Sequence, residues 1–218
     1  MRPLILLRPE PGASDSAAQA AALGMKVIRE PLFELVQVAW RVPELDQFDG
    51  LLLTSANAML FGGPKLELLR KLPVRAVGAA TAEAASAAGF SVASIGGAGV
   101  DVLLAGLPRG ISLLHLSGAD RRPPQAHGAH LVPLTVYRAT ALEPGEGFHE
   151  MVKGAVVAIH SRRAGERLAK LVEERAATTL VAISADATAG TGAGWERIAV
   201  AERPSDAALL ATAAALCL

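Results

Sequence analysis

A chain of 218 residues, 51% of them hydrophobic, has material for one large core or two small ones. Its 21 basic and 21 acidic residues cancel to zero net charge, which argues against a broad nucleic-acid footprint or a polybasic membrane surface, so any anion site must be local. Aromatic residues are only 4%, too few for a base-stacking platform, and the single cysteine, Cys217, excludes an internal disulfide and a thiolate metal site.

The opening MRPLILLRPEPG holds only a short apolar run between Pro3 and Arg8. That falls short of a secretory signal, and no stretch approaches the roughly 18 apolar residues of a membrane span. A cytoplasmic protein without a membrane partner is expected. Residues 3–7 read as a strand, and Ser14 or Asp15 as the cap of a helix running to about Leu23, with Gly24 as its stop. Strands follow at 25–29 and, after Pro31, along the extended run 33–40. Pro43 and Asp46 punctuate the chain before a strand at 48–53, after which Ser55 or Asn57 caps a helix ended or interrupted by Gly62-Gly63-Pro64. A strand at 75–77 and a helix at 81–88 come next, then a strand with a glycine-rich loop at 91–99 and a short helix at 100–107. Strands at 111–116, 130–138, 156–160, 180–183 and 198–201 complete the set, with helices at 164–174 and 206–216. Strands alternating with helices imply βαβ units and parallel sheets, so the fold class is α/β.

A two-part pattern occurs twice. FDGLLLTSANAMLFGG is followed by VRAVGAATAEAASAAGF, and KGAVVAIHSRRAGERL by LVAISADATAGTGAGW. Ser55 and Ser161, like Gly78 and Ser184, are 106 apart (161 − 55 and 184 − 78). Each part is an apolar strand whose carboxyl end opens into a helix, and helix N-termini attract anions. Two extended passages without helices of their own, 37–43 and 135–141, are the linker candidates. Two crossings suggest that the chain leaves one domain, builds another and returns.

The residues at the strand ends each have two readings. Thr54-Ser55-Ala56-Asn57 can hold a carboxylate or simply cap a helix, and His160-Ser161-Arg162-Arg163 adds two cations at the equivalent place. Arg8 ends the first strand, as a surface charge or a ligand group. Ser117-Gly118 with Arg121 and Arg122 forms the counterpart loop. Gly78 and Thr81 make a strand-to-helix turn in which glycine serves either the turn or close approach of a ligand. The glycine clusters 96–99 and 190–194 contain neither G-x-G-x-x-G nor a Walker lysine, so no nucleotide cofactor is expected. His127 and His130 lack a nearby carboxylate or cysteine, and no metal is expected. His115 and His160 read as ordinary satisfied histidines within strands. Tyr137, the only tyrosine, is either a hydrogen-bond donor to a ligand or a half-buried strand residue. No Ser/His/Asp order, nucleophile elbow or close carboxylate pair is present.

Taken in order, Leu6-Leu7-Arg8-Pro9, Leu23-Gly24, Pro31, Thr54-Ser55-Ala56-Asn57-Ala58, Val77-Gly78 with Thr81-Ala82, Val136-Tyr137, Ser161, Ile183-Ser184, and Ala201-Glu202 with Pro204 resemble the uroporphyrinogen-III synthase family nearly end to end. The resemblance implies two similar parallel-sheet α/β domains, one discontinuous, joined by a two-stranded linker with a cleft between them. The boundaries would be 1–36 plus 142–218, 44–134, and linker strands 37–43 and 135–141. It implies a lyase that cyclises hydroxymethylbilane to uroporphyrinogen III, with inversion of ring D and loss of water. No metal or organic cofactor is used, and a monomer is expected. The chemistry is largely intrinsic to the substrate, so the protein must shape it for attack by the substituted carbon of ring D. By resemblance, Tyr137 hydrogen-bonds the departing hydroxyl. Arg8, Thr54, Ser55, Asn57, Gly78, Thr81, Ser117, Gly118, Ser161, Arg162 and Ser184 would surround the eight substrate carboxylates. His160 stands where Thr is common and Ser184 replaces the usual Gly. A non-catalytic two-lobe module that binds or senses an acidic small molecule is the alternative.

Overall fold

Short runs of consecutive apolar residues become the central strands of two parallel sheets, buried on both faces as parallel strands between helices are. The computed structural model describes residues 1–97, 99–121 and 123–217. The first pass of the chain gives β1 (Leu4–Leu6), α1 (Gly12–Ala22) and β2 (Val27–Arg29). The middle gives β3 (Phe33–Gln37), β4 (Gly50–Leu53), α2 (Asn57–Phe61), β5 (Val74–Val77), α3 (Ala79–Ala87), β6 (Val92–Gly96), α4 (Val100–Ala105), β7 (Ser112–Gly118) and β8 (His130–Ala141). The return gives α5 (Phe148–Val152), β9 (Val156–Ile159), α6 (Arg162–Leu171), β10 (Thr179–Ala182), α7 (Ala185–Thr188), β11 (Arg197–Val200) and α8 (Asp206–Cys217).

The chain divides into a discontinuous unit, Met1–Glu34 with Thr140–Leu218, and a continuous unit, Leu35–Ala139. In the first, the sheet order is β11-β10-β9-β1-β2, and in the second it is β3-β8-β7-β4-β5-β6. Strands β1, β2, β9, β10 and β11 run parallel, as do β4 to β8. Strand β4 in one sheet occupies the place that β9 holds in the other, with β5 matching β10, β6 matching β11, β7 matching β1 and β8 matching β2. The sequence repeat falls on equivalent positions. In each sheet the order reverses once, between β9 and β1 or between β4 and β7, and ligands of open α/β sheets collect outside the carboxyl ends at such a reversal.

The discontinuous unit packs Leu4, Leu6, Val156, Ala158 and Val181 against Leu209, Leu210 and Ala213 of α8 and Ala20 of α1. In the continuous unit, one sheet face carries Leu51, Leu53, Leu114 and Leu116 against Met59 and Ala82. The other carries Leu52 and Leu113 against Leu104 of α4. No helix of the described residues is long and apolar enough to cross a membrane.

Several element bounds differ from the sequence reading. Helix α1 begins at Gly12, before Ser14 and Asp15, because the Glu10 carboxylate accepts the Ser14 N–H at 2.9 Å and supplies the cap from outside. Helix α2 is only five residues long. It starts at Asn57, whose N–H donates to Ser55 Oγ at 3.2 Å, so Asn57 is not the cap. Helix α3 begins at Ala79, two residues before the expected start at Thr81. Strand β3 stops at Gln37, and 38–43 carries no strand, although the Val38 N–H still donates to the Val136 carbonyl at 3.1 Å. Strands β7 and β8 run further than expected because Ser117 pairs in register with Thr135, and a shift then sets Gly118 opposite Tyr137. Helix α5 carried no expectation. It follows Gly147 at φ 79° and buries Phe148 and Val152, one turn apart.

Gly78 precedes α3 at φ 85° and ψ 152°, a region essentially open to glycine alone, while no atom of the described residues beyond its two chain neighbours lies within 4 Å of where a Cβ would stand. The requirement is therefore the backbone conformation and not space. Gly78→Ala should lower unfolding stability by about 1–3 kcal/mol, read from urea denaturation, without disturbing neighbouring packing.

Candidate functional site

In the continuous unit, the carboxyl ends of β4, β7 and β8 lie side by side and gather Thr54, Ser55, Ser117, Gly118 and Tyr137. His115 Nε2 and Thr54 Oγ1 are 3.2 Å apart. Ser117, two residues further along β7, is only 3% exposed, and its Oγ has no hydrogen-bond partner among the described residues. Such an orphan is costly unless something arrives to meet it. Arg121 reaches Thr135 Oγ1 with Nη1 at 3.5 Å and brings a positive charge beside the group. The residue Arg122 lies outside the described residues.

Tyr137 is held by its ring. A Cβ on Gly118 would stand 2.7 Å from the Tyr137 ring, so the absence of a side chain there admits the phenol. The Phe61 ring of α2 packs on it with centroids 6.2 Å apart. The phenol oxygen makes no hydrogen bond to any described residue, which leaves both its proton and its lone pairs available. Gly78 and Thr81 stand one strand over, at the β5–α3 turn. Thr81 is buried in the helix's first turn.

The corresponding edge of the discontinuous unit is an ionic network around Asp206, in which His160 Nδ1 is buried without a partner among the described residues. Arg8 Nη1 donates to Ser16 Oγ at 2.9 Å and lies 3.2 Å from Asp206 Oδ1. Ser16 Oγ donates to Asp206 Oδ2 at 2.7 Å, and His160 Nε2 is 2.8 Å from Asp206 Oδ1. The charge of Arg8 is thus already matched within its own unit. Ser161 Oγ caps α6 by accepting the Ala164 N–H at 3.2 Å, and Ser184 Oγ caps α7 by accepting the Ala187 N–H at 3.4 Å. Arg162 points along the helix surface, donating from Nε to Glu166 Oε1 at 2.9 Å, one turn on. The Arg163 guanidinium stacks 4.7 Å above the Phe33 ring.

The two histidines do more than the sequence reading allowed them. Burial, with Arg121 adding to it, pushes His115 from 6.5 down to about 4. Burial also lowers His160, against the opposing pull of its hydrogen bond to Asp206, and Arg8 lowers it further. Asp206 is raised by burial, but hydrogen bonds from His160 and Ser16 and the charges of His160 and Arg8 outweigh that and hold it below its ordinary value. A strand histidine followed at i+2 by serine was the available signal for His115, since both then share one sheet face.

Because both histidines bind protons less readily folded than unfolded, their contribution to stability is complete above pH 6.5 and declines below it, in the case of His115 as the pH falls toward about 4. Asp206 acts lower, losing its contribution only as the pH falls below its ordinary 3.8. Urea midpoints measured from pH 7 down to pH 4.5 should therefore fall, and His115→Gln should reduce that fall.

Residues 14–211 match the family described as Uroporphyrinogen-III synthase HemD. No curated protein sequence matches the chain. Among solved structures, the fold is similar to uroporphyrinogen-III synthetase from Helicobacter pylori 26695, at 20% identity over 99% of this chain and 100% of that one, with a TM-score of 0.66. It is also similar to a mutant uroporphyrinogen-III synthase from the extremely thermophilic bacterium Thermus thermophilus, at 20% identity over 99% of each chain, with a TM-score of 0.53. At these identities the structural likeness speaks for the fold, and the family match speaks for descent. The chain belongs to the uroporphyrinogen-III synthase family, enzymes that cyclise hydroxymethylbilane.

Proposed function

We propose that this chain is a lyase that cyclises linear hydroxymethylbilane to uroporphyrinogen III, inverting ring D and releasing water. The observation that carries the reading is the family match over residues 14–211, which takes in both units. The departing hydroxyl of the substrate must leave as water, so a proton or a strong hydrogen bond has to reach it as the bond breaks. Tyr137 takes that role in this reading, supported by a ring fixed against Gly118 and Phe61 and a phenol without a partner among the described residues. The remaining task is conformational: ring D must be presented through its substituted carbon before direct closure occurs.

The substrate carries eight carboxylates, and the reading assigns them donors at the strand ends. Thr54, Ser55 and Ser117 act from the continuous unit, joined by Arg121 and by Asn57, Gly78, Thr81 and Gly118 around them. In the discontinuous unit Ser161 and Ser184 accept helix-cap N–H bonds and keep their O–H protons for a carboxylate, joined by backbone N–H groups of the first turn of α6. Arg8 and Arg162 contribute positive potential there from within their ion pairs. The enzyme acts in this reading as a cytoplasmic monomer.

Purified protein supplied with hydroxymethylbilane should yield the type III isomer, resolved from type I by chromatography. Type I alone, at the spontaneous rate, would leave a ligand-binding module and no synthase. Tyr137→Phe should lower turnover about a hundredfold while the circular dichroism spectrum stays unchanged. Near-wild-type turnover in that variant would remove Tyr137 from the mechanism.

A further inference from the structure

We infer that His115 is a positioning residue, whose imidazole sets the Thr54 hydroxyl as a hydrogen-bond donor to a substrate carboxylate. The inference rests on the synthase reading and names a residue that the resemblance does not supply. It begins with the sheet face. Leu52 and Leu113 share a buried cluster with Leu104 and Ile111, and Leu131 of β8 packs against the same cluster. Side chains two apart on a strand share a face, so His115 and Ser117 continue the face of Leu113. Thr135 continues that of Leu131, and Thr54 follows Leu52 at the end of β4. The face is apolar along its length and turns polar only at the carboxyl end, across three adjacent strands.

That polar end is unfinished. Ser117 Oγ is buried without a partner among the described residues, and His115 is itself only 3% exposed. Arg121 lies close enough to depress the imidazole's proton affinity and so supplies a positive charge beside the two hydroxyls. A neutral imidazole offers one N–H and one lone pair. If Nε2 accepts the Thr54 proton, Thr54 turns its lone pairs outward and repels an anion. If Nε2–H donates to Thr54 Oγ1 across the 3.2 Å contact, Thr54 keeps its own proton for a ligand. A carboxylate arriving beside Arg121 selects the second arrangement, and the Ser117 hydroxyl then finds its missing partner in the same group. Burial keeps His115 neutral, so it orients the donor and carries no charge of its own.

A double-mutant cycle tests this in the synthase assay. His115→Leu should raise KM about tenfold while kcat stays within about twofold, the size expected for losing one oriented hydrogen bond to a charged group. His115→Gln, which restores an N–H, should recover part of that loss. In a Thr54→Val background, which keeps the volume but removes the hydroxyl, His115→Leu should change KM by less than about twofold. An undiminished effect of His115→Leu in that background overturns the proposal, as does an unchanged KM in the single variant or a Gln variant no better than Leu. Urea midpoints and circular dichroism accompany each variant. If His115→Leu does not fold, His115→Asn, whose amide falls short of Thr54, takes its place in the cycle. Wild-type protein that makes no type III isomer overturns the synthase reading and this proposal together. Type III production with an additive cycle overturns this proposal alone.

Discussion

Parallel pairing is the constraint from which the rest follows. When every strand of a sheet runs the same way, all carboxyl ends meet at one edge, and every connection that leaves that edge begins with backbone groups the ladder cannot satisfy. The interior of each strand is committed to the core: Leu51, Leu52 and Leu53, or Val156, Val157, Ala158 and Ile159, are fully buried. Chemistry therefore gathers toward the carboxyl ends of the apolar runs, with His115 and Tyr137 set inside β7 and β8 themselves. Thr54 follows Leu53, Arg8 follows Leu7 and His160 follows Ile159 for that reason. The single reversal of strand order in each sheet then selects which of those ends stand next to each other.

The two units apply the same arrangement differently. At the β1–β9 reversal, Arg8, Ser16, His160 and Asp206 bond to one another, with α8 contributing its first-turn aspartate, while His160 Nδ1 stays buried without a partner among the described residues. Positive potential remains there, but hydroxyls and guanidinium are already engaged. At the β4–β7 reversal, no carboxylate is bonded to His115 or to Arg121 among the described residues. Ser117 and Tyr137 keep polar atoms unspent. A sheet edge whose donors satisfy each other is rigid and structural, whereas one that leaves donors unmet is poised for a ligand. The sequence repeat gives both units the same scaffold, and the placement of counter-charges makes them differ.

The alternation of strands and helices was legible because it rests on local apolar runs and small-residue turns, which need no knowledge of partners. The equivalence of the β4–α2–β5–α3 and β9–α6–β10–α7 segments was legible too, from a constant spacing. Element starts were less so. Glu10 caps α1 from beyond the helix, and no preference for Ser or Asp at the cap anticipates that. Charge partners were hidden by distance along the chain: Asp206 meets Arg8 only because α8 returns to pack beside α1, and nothing near Arg8 in sequence announces it. The Arg162–Glu166 pair, by contrast, follows from i,i+4 spacing on a helix. Gly118 belongs between these cases. In the sequence it reads as a loop residue, and its purpose becomes apparent only through the register that places Tyr137 across from it.

That register bears on how a phenol can be both fixed and free. A buried tyrosine is ordinarily anchored by hydrogen-bonding its hydroxyl, which positions the ring but consumes the polar atom. Here the ring is anchored instead by shape: Gly118 lacks the Cβ that would collide with it, the shift between Ser117 and Gly118 brings Gly118 opposite Tyr137, and Phe61 packs on the ring. Apolar contacts do the holding, so the hydroxyl remains uncommitted. The same division of labour recurs one strand away, where His115 orients Thr54 from a buried position and leaves the outward side of that hydroxyl open. For a reaction whose difficulty lies in which carbon attacks first, such a site needs donors that are immobile before the substrate arrives yet bonded to nothing else. Packing can supply the first property without removing the second, and a denser set of protein–protein hydrogen bonds could not.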